Sequence, residues 1–453
     1  MTTDATSSHT NRDTGSAPHL TKALGLRGVV LFGLAYMAPI IVLGIFGVIA
    51  EASSGASAGS YLLATVAMLF TASSYAQMAR QHPVAGSSYT YVRRSLNPHL
   101  GFLVGWTILL DYLFLPLVIW LIGAAYLTGE FPGVPKAVWI IGFIVITSAL
   151  NVIGLKVADK ANLVLMSFQV LVLAFFVVFS VAYLSGRGGT GSLFSTTPFV
   201  GTGGFGALTA GAAIAAYSFL GFDAVSTLTE DTREPTKNIP RAIVLVALVG
   251  GVIFLIVSYT VTLVAPGSTF PDAENLAADI AKTIGGAVFS AIFIAGLIIG
   301  QFTSGLAAQA SVARLLYAMG RDGVLPKRAF GFLSERFATP VFNIALCGVI
   351  GLAAIFLDVT TSTSFINFGA FLAFTLVNVS AFAHFLRHRD DALNPLFYVV
   401  IPIVGALIDI YLLTRLDGRA LILGSCWLAA GFVYLLVLTR GFRKAPPELT
   451  IEE

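Results

Sequence analysis

Three acids stand in long apolar runs: Asp111 in "GWTILLDYLFLP", Asp223 in "SFLGFDAVSTLTEDT", and Glu230 near the end of that second stretch. No Lys or Arg shares those runs. A carboxylate in a low-dielectric setting needs a proton, a cationic ligand or a wet cavity, because leaving it bare costs at least a few kcal/mol. Asp223, Thr227 and Glu230 fall at i, i+4 and i+7, the spacing of one α-helical face. At helical rise, Asp223 and Glu230 lie ~10 Å apart along the axis. Aromatic residues neighbour the acids: Phe219 and Phe222 flank Gly221, Tyr112 follows Asp111, and Tyr36 precedes Met37, Ala38 and Pro39. Ring faces attract ammonium groups by about 0.5–2 kcal/mol each. Such a set suits recognition of a small organic cation or movement of a proton. Two plainer roles compete with it: Asp223 as the cap of a helix that starts there, and Glu230 as a solvated loop acid.

The elements that must position these residues follow from composition. Of 453 residues, 57% are hydrophobic and 11% are charged, and the mean hydropathy is +0.87. No single water-soluble core hides that much apolar surface, so the chain is expected to be an all-α integral membrane protein. A spanning helix takes about 20 apolar residues. Twelve candidates appear, at roughly 28–50, 59–79, 101–128, 137–155, 161–184, 206–230, 241–265, 280–310, 340–357, 362–386, 395–414 and 420–439. With twelve spans, 21 of the 26 Lys and Arg fall on the side of the termini. Only Lys136, Arg187, Lys282, Arg415 and Arg419 fall on the other. The positive-inside rule then makes both termini cytoplasmic. Residues 1–27 read as a disordered cytoplasmic tail rather than a signal peptide. Asp358 and Asp409, near the outer ends of their runs, read as interfacial.

Several function classes drop out. Cys347 and Cys426 sit in separate apolar runs, which excludes a disulfide framework. There is no phosphate-binding Gly-Lys-Ser/Thr loop and no His-Glu-x-x-His or Cys-x-x-Cys pattern, so no cofactor, metal or nucleic-acid partner is expected. The acids lack a neighbouring nucleophile, which disfavours an integral membrane enzyme. Tails of about 27 and 13 residues leave little room for the signalling domain of a sensor.

Two spans carry helix-breaking residues. Pro39, with Gly33, Gly44 and Gly47, interrupts the first; Gly203, Gly204, Gly206, Gly211 and Gly221 mark the sixth. Pro removes a backbone donor and Gly admits unusual angles. These spans hold matching positions, first in helices 1–5 and first in helices 6–10, the pattern of an inverted-repeat transporter with its site at the breaks. Each glycine taken alone is equally a close-packing device.

"SFLGFDAVSTLTEDTREPTKNIPRAI" resembles the helix 6 to helix 7 segment of the amino acid–polyamine–organocation (APC) superfamily. "PVAGSSYTYVRRSLNPHLGFLVGW" is similar to its helix 3 entry, and "ASVARLLYAMGRDGVLP" to its segment after helix 8. "GWTILLDYLFLP" and "GLAYMAPI" are closer to its bacterial putrescine importers (the PuuP type) than to its general amino acid permeases. The resemblance implies a LeuT-like 5+5 inverted repeat at 28–388, appended helices 11–12 at 389–440 and a cytoplasmic C-terminal tail at 441–453. It implies Tyr36, Met37, Ala38, Pro39, Asp111, Tyr112, Phe219, Gly221, Phe222 and Asp223 as substrate-binding, with Thr227 and Glu230 on the gating or exit path. Gln169 stands where some proton-coupled relatives carry a lysine, and Gln cannot cycle a proton. With Thr303 and Ser304 it forms the set of ion-coupling candidates, the coupling ion being a proton or sodium. Amino acid permeases of the superfamily carry a Gly-Ser/Thr-Gly turn in helix 1 for the substrate carboxylate; here Val42-Leu43-Gly44 stands instead. That departure favours a diamine, putrescine above all, over an amino acid, the competing substrate.

Overall fold

In the computed structural model, residues 24–447 are described apart from 84–86, 154–158, 187–192, 230–231, 268, 322, 335, 338 and 392. Among the described residues seventeen α-helices follow one another: α1 Leu26–Met37, α2 Ile41–Gly44, α3 Phe46–Ala52, α4 Ser57–Gln81, α5 Ser87–Ser95, α6 Pro98–Glu130, α7 Lys136–Ile153, α8 Asp159–Gly186, α9 Thr197–Val200, α10 Gly204–Ala215, α11 Pro235–Val264, α12 Leu276–Arg321, α13 Lys327–Phe330, α14 Val341–Gly351, α15 Val359–Arg387, α16 Ile401–Leu413 and α17 Gly418–Leu438. No strand occurs among the described residues.

Sequence chemistry sets several of the ends. Asn97 caps α6, its side chain accepting from the Leu100 N–H at 2.8 Å, with Pro98 entering the first turn. Asp358 caps α15 through the Thr361 N–H, and Asp417 caps α17. Helix α12 is kinked at Gly286, whose φ of 75° breaks the helical run. Beyond the kink α12 continues to Arg321, so the residues around Arg314 extend the eighth span.

Among the described residues, eleven segments are long and apolar enough to cross a bilayer. The ninth expected span, 340–357, falls short. It is the apolar helix Val341–Phe356, α-helical only to Gly351 and 3₁₀ from Leu352 to Phe356. Sixteen residues in those two forms reach about 26 Å, within a few ångström of a ~30 Å hydrocarbon core, a mismatch that local thinning of the bilayer accommodates. Apolar side chains face outward along the spans, Val288 at 75% and Val437 at 71% exposure, as lipid rather than water would require.

Helices α4 and α11, the second spans of the two halves, pack against one another, and α6 and α12, the third spans, do the same. An inverted repeat brings such equivalent helices together. Helix α15 packs on α6, α4 and α16. Helix α17 is clasped to α6 by a reciprocal pair of bonds: the Trp106 indole donates to the Trp427 carbonyl at 2.9 Å, and the Trp427 indole donates to the Trp106 carbonyl at 3.0 Å.

Candidate functional site

Both interruptions form where Gly and Pro suggested. Helix α1 stops at Met37; Ala38 turns left-handed at φ 46°, and the helix resumes as α2 after Pro39 and Ile40. The other run is α-helical to Ala215 and 3₁₀ over Ala216–Phe219. It extends at Leu220, turns at Gly221 with φ 109°, and resumes as a 3₁₀ helix over Asp223–Thr229. The two breaks touch. A Cβ at Gly221 would overlap the Tyr36 ring, so only glycine lets the chain pass there. At their inner ends the segments pair again, Leu24 bridging Thr232 and the Arg233 N–H donating to the Leu24 carbonyl at 2.9 Å.

Around this contact the polar groups converge. Tyr36 lies within interaction range of Tyr112, Asp111 and Asp223. Asp111 feels the charge of Asp223, and Tyr217 that of Asp111. Neither acid is in a salt bridge among the described residues. The Oδ1 of Asp111 is buried and accepts no hydrogen bond. The Asp223 carboxylate, by contrast, stands beside the backbone of Gly221 and Ala224, at the first residue of the 3₁₀ segment.

Beside this cluster a cavity of ≈ 250 Å³ opens between the α1 break, α6, α8 and α12. Tyr36, Met37, Ala38, Gln169, Thr303 and Ser304 line it, so one space joins the first break to the three ion-coupling candidates. Pro39 is buried in the turn just outside the lining. Gln169 is buried and its Oε1 accepts no hydrogen bond. The Thr303 hydroxyl donates to its own helix, to the Ile299 and Gly300 carbonyls at 2.9 and 3.1 Å.

Other expected residues fall elsewhere. Asp111, Tyr112, Phe219, Gly221, Phe222 and Asp223 do not line the cavity. Phe219 packs edge-on against Phe254 of α11, and Phe222 sits in an aromatic cluster with Tyr75 and Phe374. Both are fully buried. Thr227 is exposed, and its hydroxyl donates to the Ala224 carbonyl at 2.6 Å. The helical face expected for Asp223 and Thr227 does not form. A 3₁₀ helix has three residues per turn, so positions i and i+4 diverge by about 120°. Glu230 lies outside the described residues. Asp409 is not interfacial: it is fully buried, held by Thr71 of α4 and Asn378 of α15. Tyr217 and Gln301 also line the cavity; Gln301, a polar residue in the apolar run "LIIGQFTSG", was the detectable one.

The backbone at Val42-Leu43-Gly44 offers no cradle. The N–H groups of Leu43 and Gly44 donate to the Ile40 carbonyl at 3.0 and 3.3 Å, those of Val42 and Ile45 to Pro39 and Ile41. All of these residues are buried.

Two interrupted helices that touch at Tyr36 and Gly221, set in a bundle of apolar spans, fit a membrane permease. The chain belongs to the amino acid permease family, whose pattern matches residues 28–415, and the LeuT-like fold is that family's fold. Among its relatives is the low-affinity putrescine importer PlaP of Escherichia coli (strain K12), 38% identical over 97% of this chain and 99% of that protein. The branched-chain amino acid permease BcaP of Bacillus subtilis (strain 168) is 26% identical over 95% of this chain and 96% of its own length. The methylthioribose transporter of the same organism is 27% identical over 92% and 93%.

Proposed function

We propose that this protein is a secondary transporter that imports a small organic cation, putrescine or a related polyamine, by alternating access. It works in the cytoplasmic membrane with both termini in the cytoplasm, residues 28–388 forming the transport core and 389–440 the appended helices. An inward proton gradient drives it. The observation that carries this reading is the Asp111–Asp223 pair at the crossing of the breaks, without a cationic partner among the described residues. Two carboxylates near one cavity suit a dication better than a zwitterion, whose carboxylate they would repel. The likeness to a putrescine importer along nearly the whole chain supports the same substrate. An amino acid is the second reading, favoured by the branched-chain permease among the relatives. Against it stand the engaged amides of Val42, Leu43, Gly44 and Ile45, which give that segment no free donor for an α-carboxylate.

The test is uptake of radiolabelled putrescine by the purified protein in liposomes, with amines and amino acids as competitors. Diamines should compete and leucine or arginine should not. Uptake should rise with an inward proton gradient in sodium-free buffer. Amino acid uptake that putrescine leaves untouched would overturn the substrate, and a strict sodium requirement would overturn the proton.

A further inference from the structure

Helix α16 is a thirteen-residue apolar element, and Asp409 is its one acid. Its side chain has no exposure at all. Two helices close over it. The Thr71 hydroxyl of α4 donates to Oδ2 at 2.8 Å, and the Asn378 amide of α15 donates to the same oxygen at 3.0 Å. That amide also lies 3.1 Å from the Thr71 hydroxyl oxygen, which closes the triad. Gly405, one turn earlier on α16, permits the approach, since a Cβ there would come within 2.9 Å of Asn378 Oδ1. The other carboxylate oxygen, Oδ1, is buried and has no hydrogen-bond partner. Two neutral donors on one oxygen do not offset a full negative charge in a membrane interior. A proton on Oδ1 does.

The triad also abuts the candidate site, through packing and not a hydrogen bond, since the Tyr75 hydroxyl is buried and has no hydrogen-bond partner among the described residues. Tyr75 lies one turn from Thr71 on α4, its ring packed edge-on against Phe222 at 5.6 Å between centroids. It stands within Coulombic range of both Asp223 and Asp409. It is the titratable group that faces Asp409 from α4. Helix α10, also packed on α16, carries no ionisable residue. On α15 the ionisable residues after Asn378 are His384 and Arg387, about 9 Å or more along the axis at helical rise. On α16 itself Tyr411 points outward and stacks on Phe205.

We propose that Asp409 is a proton-binding site of the transport cycle, linked through Thr71 and Tyr75 to the acids at the helix breaks. Asp409 carries the proton on Oδ1 in the conformation seen here. It releases that proton toward the cytoplasm when α4 and α15 shift, and takes the next one from the outer aqueous phase. No other bond changes. The proposal rests on the proton-driven reading above and adds where the coupling proton resides.

Infrared difference spectroscopy of the full-length protein in liposomes tests it without depending on the substrate. Across a pH titration, the carboxylic-acid C=O band should change in the wild type, be lost in Asp409→Asn and be shifted in Asp409→Glu. In uptake, Asp409→Asn should lose the stimulation by an inward proton gradient, with the putrescine Kd moved by less than about threefold. Asp409→Glu should recover part of that stimulation. If Asp409→Asn does not fold, the wild-type band and its shift in Asp409→Glu decide alone. Gradient-driven uptake unchanged in Asp409→Asn, or no band that titrates and depends on residue 409, would overturn the proposal. Failure of the wild type to take up putrescine would overturn the substrate reading instead, with the infrared titration still deciding the fate of Asp409.

Discussion

Replacing Asp223 with Asn separates its two roles. The carboxylate begins the 3₁₀ segment, where a cap belongs, and lies within electrostatic range of Asp111. Asn keeps an acceptor oxygen and ranks beside Asp as a helix cap, so Asp223→Asn preserves the capping capacity and removes the charge. A substrate ammonium then loses its anion in a site walled by Tyr36, Tyr112 and buried apolar groups. Truncating one partner of a desolvated charge pair costs about 2–5 kcal/mol, which is about 30-fold to several thousandfold in Kd. Calorimetry with putrescine on the purified variant should therefore show binding nearly abolished, while the melting temperature stays close to wild type. Asp223→Ala should lose both. Normal putrescine binding in Asp223→Asn would refute the argument and leave the carboxylate as a cap alone. A parallel fall in melting temperature would show that the charge holds the break together.

Three further outcomes follow from the same geometry. Tyr112→Leu should weaken putrescine binding by about 0.5–2 kcal/mol and Tyr112→Phe by much less, if the ring faces the ammonium; equal losses in calorimetry would assign the effect to the hydroxyl. Gly221→Ala forces a Cβ into the Tyr36 ring at a φ of 109°, so it should cost about 1–3 kcal/mol and lower both melting temperature and uptake; a variant like wild type in both would remove that contact as a constraint. Burial, with the charges of Arg94 and His388, holds the His82 imidazole below its ordinary 6.5. The unfolded chain then binds the proton more readily, and stability falls as pH drops through that value. Melting should decline between about pH 7.5 and 5.5, and less steeply in His82→Gln; identical slopes would clear His82 of the effect.

What was legible in the sequence was local. Pro39 and Gly221 announce the breaks because their backbone constraints act within one or two residues, and the structure interrupts both helices there. Asp111 and Asp223 stand out because each is an acid in a run without a Lys or Arg. The rest depended on geometry that the pattern does not carry. Thr227 was matched to a 3.6-residue period, and the segment winds at three per turn. Phe219 and Phe222 sit at the break, but their rings find partners on α4, α11 and α15, so they pack instead of lining the cavity.

Asp409 shows the same limit most clearly. It satisfies the criterion that singled out Asp111, an acid in an apolar run with no basic residue, and it was set aside because it lies four residues from the end of its helix. Distance from a helix end measures depth only when that end reaches the surface. Here α4 and α15 cover the end, bringing Thr71 and Asn378 from 338 and 31 residues away. The environment of an intramembrane acid is therefore decided by which helices close over it. In this chain those helices also carry Tyr75 and Phe374, the aromatic residues packed behind the Asp223 break. A change of charge at Asp409 would be felt first along that packed surface, which gives the appended helix a physical route to the site it does not line.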